Sequence, residues 1–558
     1  MSRTGGKILV DQLVAQGVDT VFCVPGESFL AALDALHDAP LRVITCRHEA
    51  GAATMAEAYG KLTGRPGVCF VTRGPGATHA SVGVHTAFQD STPMLLLIGQ
   101  VPRAHRGREA FQEVDFDAMF GPLAKHTGES TSAAGVVDDV AAAFEASLNG
   151  RPGPAVLALP EDVQVETATV DDAPRIIRRP GPTPDVDALA RIRSSLADAK
   201  RPLVIVGGGG WSQQAGLDVA AWAEANHLPL VTTFRRQDYV DNRSDSYCGY
   251  SGVAIDPAVA AAIRDTDWLL ALGARLDDPT TGGYTLLEAP TPEPFLVHIY
   301  ADGSELGRVY EHDLGIVATS PVAAGALRAL DPVDSGAWRG RTEGLRRSWL
   351  NGLDPAPVAG GLDLGAALRV LRERVGADTV ITNGAGNFSV WPNRLYRFTQ
   401  HGTQLAPTSG AMGYGLPAAL AAKVVRPAST VVCFAGDGDF LMSGQELATA
   451  AQYDLQVIVI VVNNGMLGTI RMHQEREYPG RVVATTLENP DFTGLARAYG
   501  AHAELVEETA DFAPALERAL RAGTAALIEA RVDPEALSLR ASLTQVREQA
   551  LARLDTVQ

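Results

Sequence analysis

A chain of 558 residues exceeds what one hydrophobic core organises and corresponds to about three domains of ordinary size. Apolar residues make up 46%, as in ordinary globular proteins, and no apolar run is long enough to span a bilayer. A formal net charge of −18 excludes nucleic acid and anionic membrane as partners, because both select a basic surface; an anionic small substrate would need arginine or lysine placed locally.

The first residues, MSRTGGKILVDQLVAQG, run straight into an amphipathic helix without a signal-peptide pattern. Cys23, Cys46, Cys69, Cys248 and Cys433 are scattered through apolar runs with neither disulfide nor metal spacing. Both features predict a cytoplasmic protein. Residues 1–165 alternate helix-like sequence with the strands VFCV, LRVITC, GVCFVT, PMLLLIG and AVLAL, the pattern of a doubly wound parallel sheet. Directly after LRVITC, Arg47-His48-Glu49-Ala50-Gly51-Ala52-Ala53 opens a helix. Taken alone, Glu49 there answers the helix dipole.

Residues 166–184 carry charge and proline without periodicity and read as a linker. In residues 185–335, strand Arg201–Val206 runs into the cluster Gly207–Gly210, and WLLALGARLDD and PFLVHIYAD supply further strands of a nucleotide-fold-like sheet. A connector at 331–360 contains a basic helix, GAWRGRTEGLRRSWLNG, expected to pack across domains. The third domain, residues 360–545, holds strand DTVIT, the turn Asn383–Asn387, and Thr408–Pro417 opening a helix. The tail, RASLTQVREQALARL, predicts an amphipathic helix, either a lid or terminal packing.

The chain is organised around Val431–Asn464. Two apolar β-branched strands flank a helical crossover, so both polar ends emerge on one sheet edge, where open parallel sheets bind ligands. Gly436-Asp437-Gly438 ends the first strand and Asn463-Asn464 the second. A lone Gly-Asp-Gly is usually only a turn, but two amides ending an apolar strand have no structural task that a simple turn residue could not do. Asp437 and Asn464 offer hard oxygens suited to magnesium, and the glycines let backbone N–H groups approach a diphosphate.

This spacing resembles the motif of the thiamine diphosphate (ThDP) enzyme family, and RHEAGAA is similar to that family's RHEQGAA. The resemblance implies a ThDP pyrimidine-binding domain, a central FAD- or nucleotide-like domain and a diphosphate-binding domain. It implies Mg²⁺ held by Asp437, Asn464 and the backbone of Met466. It also implies cofactor contacts at Gly26, Asn387, Gly410, Met412, Gly436, Gly438, Asp439, Leu467 and Gly468, with Met412 propping the bent cofactor. Glu49 becomes the activating acid, supplying a proton to N1′ of the aminopyrimidine.

Val24-Pro25-Gly26, Thr72–Thr78 and Ala110–Glu113 resemble the acetolactate synthase branch. In that branch Phe111, Gln112 and Lys125 face the substrate, Lys125 as a carboxylate partner. The implied reaction decarboxylates a 2-oxo acid, pyruvate above all, and adds the resulting enamine to a second carbonyl. The site would lie between subunits of an obligate homodimer or homotetramer. Four departures from the branch pattern matter. GARLDDP stands for GARFDDR, Ala318-Thr319-Ser320 for GDA, Phe388 for a histidine, and Met472-His473 for the glutamine and tryptophan that select the acceptor. The first two leave FAD, ADP or CoA, or nothing as readings of the central domain. The last makes His473 either an acceptor contact or an exposed helix residue. The alternative reading is a 2-hydroxyacyl-CoA lyase or oxalyl-CoA decarboxylase-like enzyme, with a flavin-carrying redox protein as the rival from another class.

Overall fold

The computed structural model describes residues 2–355, 357 and 361–557. It contains three six-stranded, wholly parallel sheets flanked by helices, as the alternating pattern predicts. The expected start of the third domain at residue 360 lies outside the described residues.

In the first sheet the strands run in the order Arg42–Thr45, Thr20–Cys23, Gly67–Val71, Met94–Gln100, Pro154–Pro160 and His126–Glu129. The third sheet repeats that order with Gln404–Leu405, Val380–Asn383, Val431–Gly436, Ile458–Asn463, Ala526–Arg531 and His502–Val506. The two strands read as the organising pair are neighbours, with Val432 opposite Ile458 and Gly436 opposite Val462. Their crossover is not one helix. It is a single turn over Asp437–Phe440, a break, and a second helix over Leu447–Gln452. The central sheet runs Tyr247–Ser251, Leu230–Thr233, Pro202–Val206, Trp268–Leu272, Phe295–Tyr300 and Leu314–Val317, the dinucleotide-fold order.

One hydrophobic core spans the first and third sheets. Helices Glu49–Thr63 and Gly415–Val425 pack against each other there, and both are rich in alanine and glycine, which lets their backbones approach. All three domains meet at a buried charge cluster. Lys61 pairs with Asp90 and, at 3.2 Å, with Glu57. Arg236 reaches Asp90 at 3.2 Å, and the Tyr414 hydroxyl donates to Glu57 at 2.6 Å. The cations hold the Asp90 carboxyl far below its ordinary range despite burial.

Two expectations about connectors change. The segment after residue 165 is stitched to the first helix: Gln12 exchanges hydrogen bonds with Ala173, and Gln16 bonds Pro174 and Ile176. The basic helix Arg339–Asn351 does not bridge domains through its arginines. Arg346 donates to the carbonyls of Asn242 and Tyr247 and Arg341 pairs with Asp265, all in the central domain.

Candidate active site

Three adjacent strands of the third sheet end in polar turns at one edge: Val380–Asn383, Val431–Gly436 and Ile458–Asn463. Between those turns lies a cleft of about 240 Å³. Asp437, Asn464 and Met466 border it together, as do Gly436, Gly438, Asp439, Leu467 and Gly468. Asn387, Gly410 and Met412 line it from the neighbouring turns. Every third-domain cofactor residue expected from the sequence therefore converges on one cleft.

Asp437 is positioned by its neighbours. One oxygen accepts from the Gly438 N–H at 2.9 Å; the other accepts from the Gly465 N–H at 2.9 Å and the Asn489 amide at 2.8 Å. Asn489 also donates to Asn463 at 3.0 Å. Burial pushes the Asp437 carboxyl upward in pKa, a cost that a divalent cation would remove. Carboxylate, side-chain amide and backbone carbonyl at one rim form an all-oxygen donor set, which fits magnesium. A Cβ on Gly436 would meet the Phe388 ring at 2.8 Å, so glycine is required for that close approach.

Asp439 braces the cleft: it accepts from the Ala385 and Gly413 N–H groups at 3.1 and 2.9 Å, and burial pushes its pKa up to about 7. Asn387 is largely committed to the protein, donating to the Leu537 carbonyl at 3.0 Å and accepting from Thr469 at 2.7 Å. It thereby ties the start of helix Gly468–Glu477 to the chain's later segment.

Gly26, Glu49 and Gly76 follow three adjacent strands of the first sheet and gather at its own carboxyl edge. Glu49 is mostly buried and bonds His79 at 2.9 Å, and His79 stacks on His48 with ring centroids 4.6 Å apart. Glu446, fully buried in the third domain, accepts from the Arg47 and His48 N–H groups at 3.0 Å and so sets the loop that carries Glu49. Asn489, His79 and Glu446 carry no local sequence signal; only tertiary packing brings them in. Glu49 does not border the third-domain cleft, whose described lining comes wholly from residues 362–537.

The substrate residues divide. Phe111 is 72% exposed and, with Gln112, lies against the Arg73-Gly74 turn, its carbonyl accepting from the Arg73 side chain. His473 is exposed on helix Gly468–Glu477 and borders a second, larger cavity. Lys125 lies apart from these. It sits just before strand His126–Glu129, at the opposite sheet edge from Glu49, and its ammonium donates to the carbonyls of Ala146 and Asn149 at 2.5 and 2.7 Å. Burial lowers its pKa to about 8.

In the central domain the glycine turn after Pro202–Val206 is closed over Gly207 and Gly208. The Trp211 indole donates to the Gly207 carbonyl at 2.7 Å and stacks on Tyr239, whose hydroxyl donates to Gly208 at 2.7 Å. Gly208, at φ +75°, has the Gly273 carbonyl where a Cβ would lie, at 1.9 Å. Among Gly208, Thr233 and Arg275 only about 20 Å³ is free. On the turn's other side Gly209, Gly210 and Trp211 border a cavity of about 280 Å³, lined also by Arg178, Arg235 and Arg236.

With this geometry in view, comparison with known proteins is decisive. Residues 3–119 match the N-terminal TPP binding domain of thiamine pyrophosphate enzymes, 189–329 the central domain, and 384–530 the C-terminal TPP binding domain. The chain belongs to the thiamine pyrophosphate enzyme family. It is 34% identical to the acetolactate synthase large subunit of Parasynechococcus marenigrum over 95% of this chain and 87% of that one. It is 32% identical to the acetolactate synthase isozyme 2 large subunit of Escherichia coli over 95% of each, and 32% to a probable acetolactate synthase large subunit of Methanocaldococcus jannaschii over 96% and 93%. This ThDP enzyme thus sits in the acetolactate synthase-like branch, and ThDP is its cofactor. No described helix is long and apolar enough to cross a membrane.

Proposed function

We propose that this ThDP enzyme uses Mg²⁺ and joins a decarboxylated 2-oxo acid, with pyruvate as donor, to a second carbonyl compound. The observation that carries this reading is the convergence of Asp437, Asn464 and Met466 on one cleft. Those three would hold the magnesium and, through it, the cofactor's diphosphate. When bound, ThDP supplies an electron sink for the carbon that loses carbon dioxide. In the overall reaction the donor's C–COO⁻ bond breaks and its electron pair forms the new C–C bond, while the acceptor's carbonyl oxygen takes a proton. Glu49 would hold a proton at N1′ of the cofactor, with His79 and the Glu446-anchored loop fixing its carboxyl. Met412 would support the cofactor's bend, and the largely apolar cleft would keep water from the reacting carbon.

The division of labour follows residues 1–165 for the pyrimidine, 185–335 for the centre and 360–545 for the diphosphate. Because Glu49 does not border the cleft of its own chain, the complete site requires a second copy, giving a homodimer or a pair of dimers. Leu441 and Met442, exposed directly behind the Gly-Asp-Gly turn, and Val82 on the helix after Gly74 support such pairing. For the central domain we infer no particular ligand: Trp211 and Tyr239 satisfy the carbonyls of Gly207 and Gly208, while Gly209 and Gly210 border a cavity of about 280 Å³. Five free, buried thiols support a reducing, cytoplasmic setting.

The test is incubation of the purified protein with ThDP, magnesium and pyruvate, following carbon dioxide and identifying the product by mass. Acetolactate or acetaldehyde is expected. Silence with pyruvate together with cleavage of a 2-hydroxyacyl-CoA to formyl-CoA would overturn the reading in favour of a lyase.

A further inference from the structure

A second cavity, about 540 Å³, adjoins the cofactor cleft and shares Asn387, Thr469 and Leu537 with it. Its charged lining is of one sign. Arg394, Arg476, Arg540 and Arg553 border it together with His473, and no aspartate or glutamate does among the described residues. In a chain whose acidic residues outnumber its basic ones by 18, a surface chosen at random would not have that composition. Two of the arginines are held in place from the central domain's side. Arg394 donates to the Ala254 carbonyl at 3.1 Å and pairs with Asp256 at 3.0 Å; Arg540 donates to the Ile255 carbonyl at 2.6 Å. The C-terminal helix Leu543–Val557 forms one wall and is anchored by Arg547, whose guanidinium grips buried Glu475 through two bonds at 2.7 and 2.6 Å.

We propose that this cavity receives the second carbonyl compound, and that the compound carries an anionic group remote from its reacting carbonyl. The inference rests on the carboligase reading above. A carbonyl at the Asn387–Leu537 seam would face the cofactor cleft, while the rest of the molecule extends among guanidinium groups that pair bidentately with carboxylate or phosphate. A pyruvate-sized acceptor would leave most of the cavity empty.

The test uses the full-length protein loaded with ThDP and magnesium, pyruvate as donor, and acceptors matched in length but not in charge. 2-Oxoglutarate is compared with 2-oxopentanoate, and glyceraldehyde 3-phosphate with glyceraldehyde. At least one charged member is expected to exceed its partner in kcat/KM by about tenfold or more, and which one does distinguishes a remote carboxylate from a remote phosphate. In Arg476→Gln/Arg540→Gln the ratio should fall toward unity, with partial rescue by Arg476→Lys/Arg540→Lys. Because each ratio is taken within one protein, general loss of fold cancels. Equal use of both matched pairs, or a preference unchanged in the glutamine variant, would overturn the proposal. Titration of 2-oxoglutarate and of glyceraldehyde 3-phosphate into the loaded protein without donor separates the two readings. Binding that the glutamine variant loses, with no carboligation detected, supports the cavity and overturns the carboligase reading. Self-condensation of pyruvate with neither anion bound overturns the cavity alone.

Discussion

Strand Val431–Gly436 in the third sheet and strand Pro202–Val206 in the central sheet both run into glycine turns at the carboxyl edge of six parallel strands. After the first, Asp437, Asn464 and Met466 surround a cleft of about 240 Å³. After the second, Trp211 and Tyr239 take the carbonyls of Gly207 and Gly208, about 20 Å³ remains beside Gly208, and the larger space, about 280 Å³, lies beyond Gly209 and Gly210. Parallel-sheet topology supplies the same edge in both places. What differs is the side chain that follows the glycines: a buried carboxylate leaves an oxygen surface wanting a cation, whereas an indole satisfies the turn's own carbonyl and closes it.

The largest effect is expected where the closed turn is locked to the first domain. Asp90 receives Lys61 and Arg236, and Arg236 in turn donates to the Gly208 carbonyl. Asp90→Ala would remove the carboxylate partner of buried Arg236 and leave Lys61 with Glu57 as its remaining carboxylate partner, at a cost of about 3–5 kcal/mol, read by denaturant unfolding. Trp211→Ala opens the closed turn and should cost about 3 kcal/mol from cavity formation.

Asp437→Ala acts on the open turn and should leave unfolding little changed while weakening joint binding of ThDP and magnesium by about 100-fold or more, measured by calorimetry. The smallest effect concerns the wall of the adjoining cavity. Arg547 holds the Glu475 carboxyl down to about 2, so the stabilisation is fully present above its ordinary 4.5 and fades as pH falls toward 2. Glu475→Gln at neutral pH should therefore release the C-terminal helix, at about 1–2 kcal/mol of local stability. Hydrogen exchange over residues 543–554 should rise in the variant and, in the parent, only on acidification.

The open turn was legible in the sequence because its signal is local. Apolar β-branched runs mark the strands, and the Gly-Asp-Gly and Asn-Asn pairs stand at their ends. Strand His126–Glu129 was not legible: it lies at a sheet edge, reads HTGE and has no apolar run. The broken crossover after Asp437 was hidden for a similar reason, since LMSGQELATAAQ is helical in pattern and the break at Leu441–Ser443 follows from packing beneath the turn. The surroundings of Lys125 were not legible either, because the carbonyls of Ala146 and Asn149 that capture it are more than twenty residues away. Trp211 stood in view beside four glycines, but that its ring folds back onto Gly207 and meets Tyr239 is a tertiary fact.

In the proposed dimer the working site takes Glu49 from one chain and the Asp437 cleft from another. Co-expression of a Glu49→Gln chain with an Asp437→Ala chain tests it most directly, by carbon dioxide release from pyruvate. Each variant alone should be inactive, and random pairing should restore about a quarter of the wild-type sites, because each mixed dimer rebuilds one intact site. If both variants are inactive alone and the mixed preparation shows verified heterodimers but no activity, the site lies within a single chain and the account is wrong.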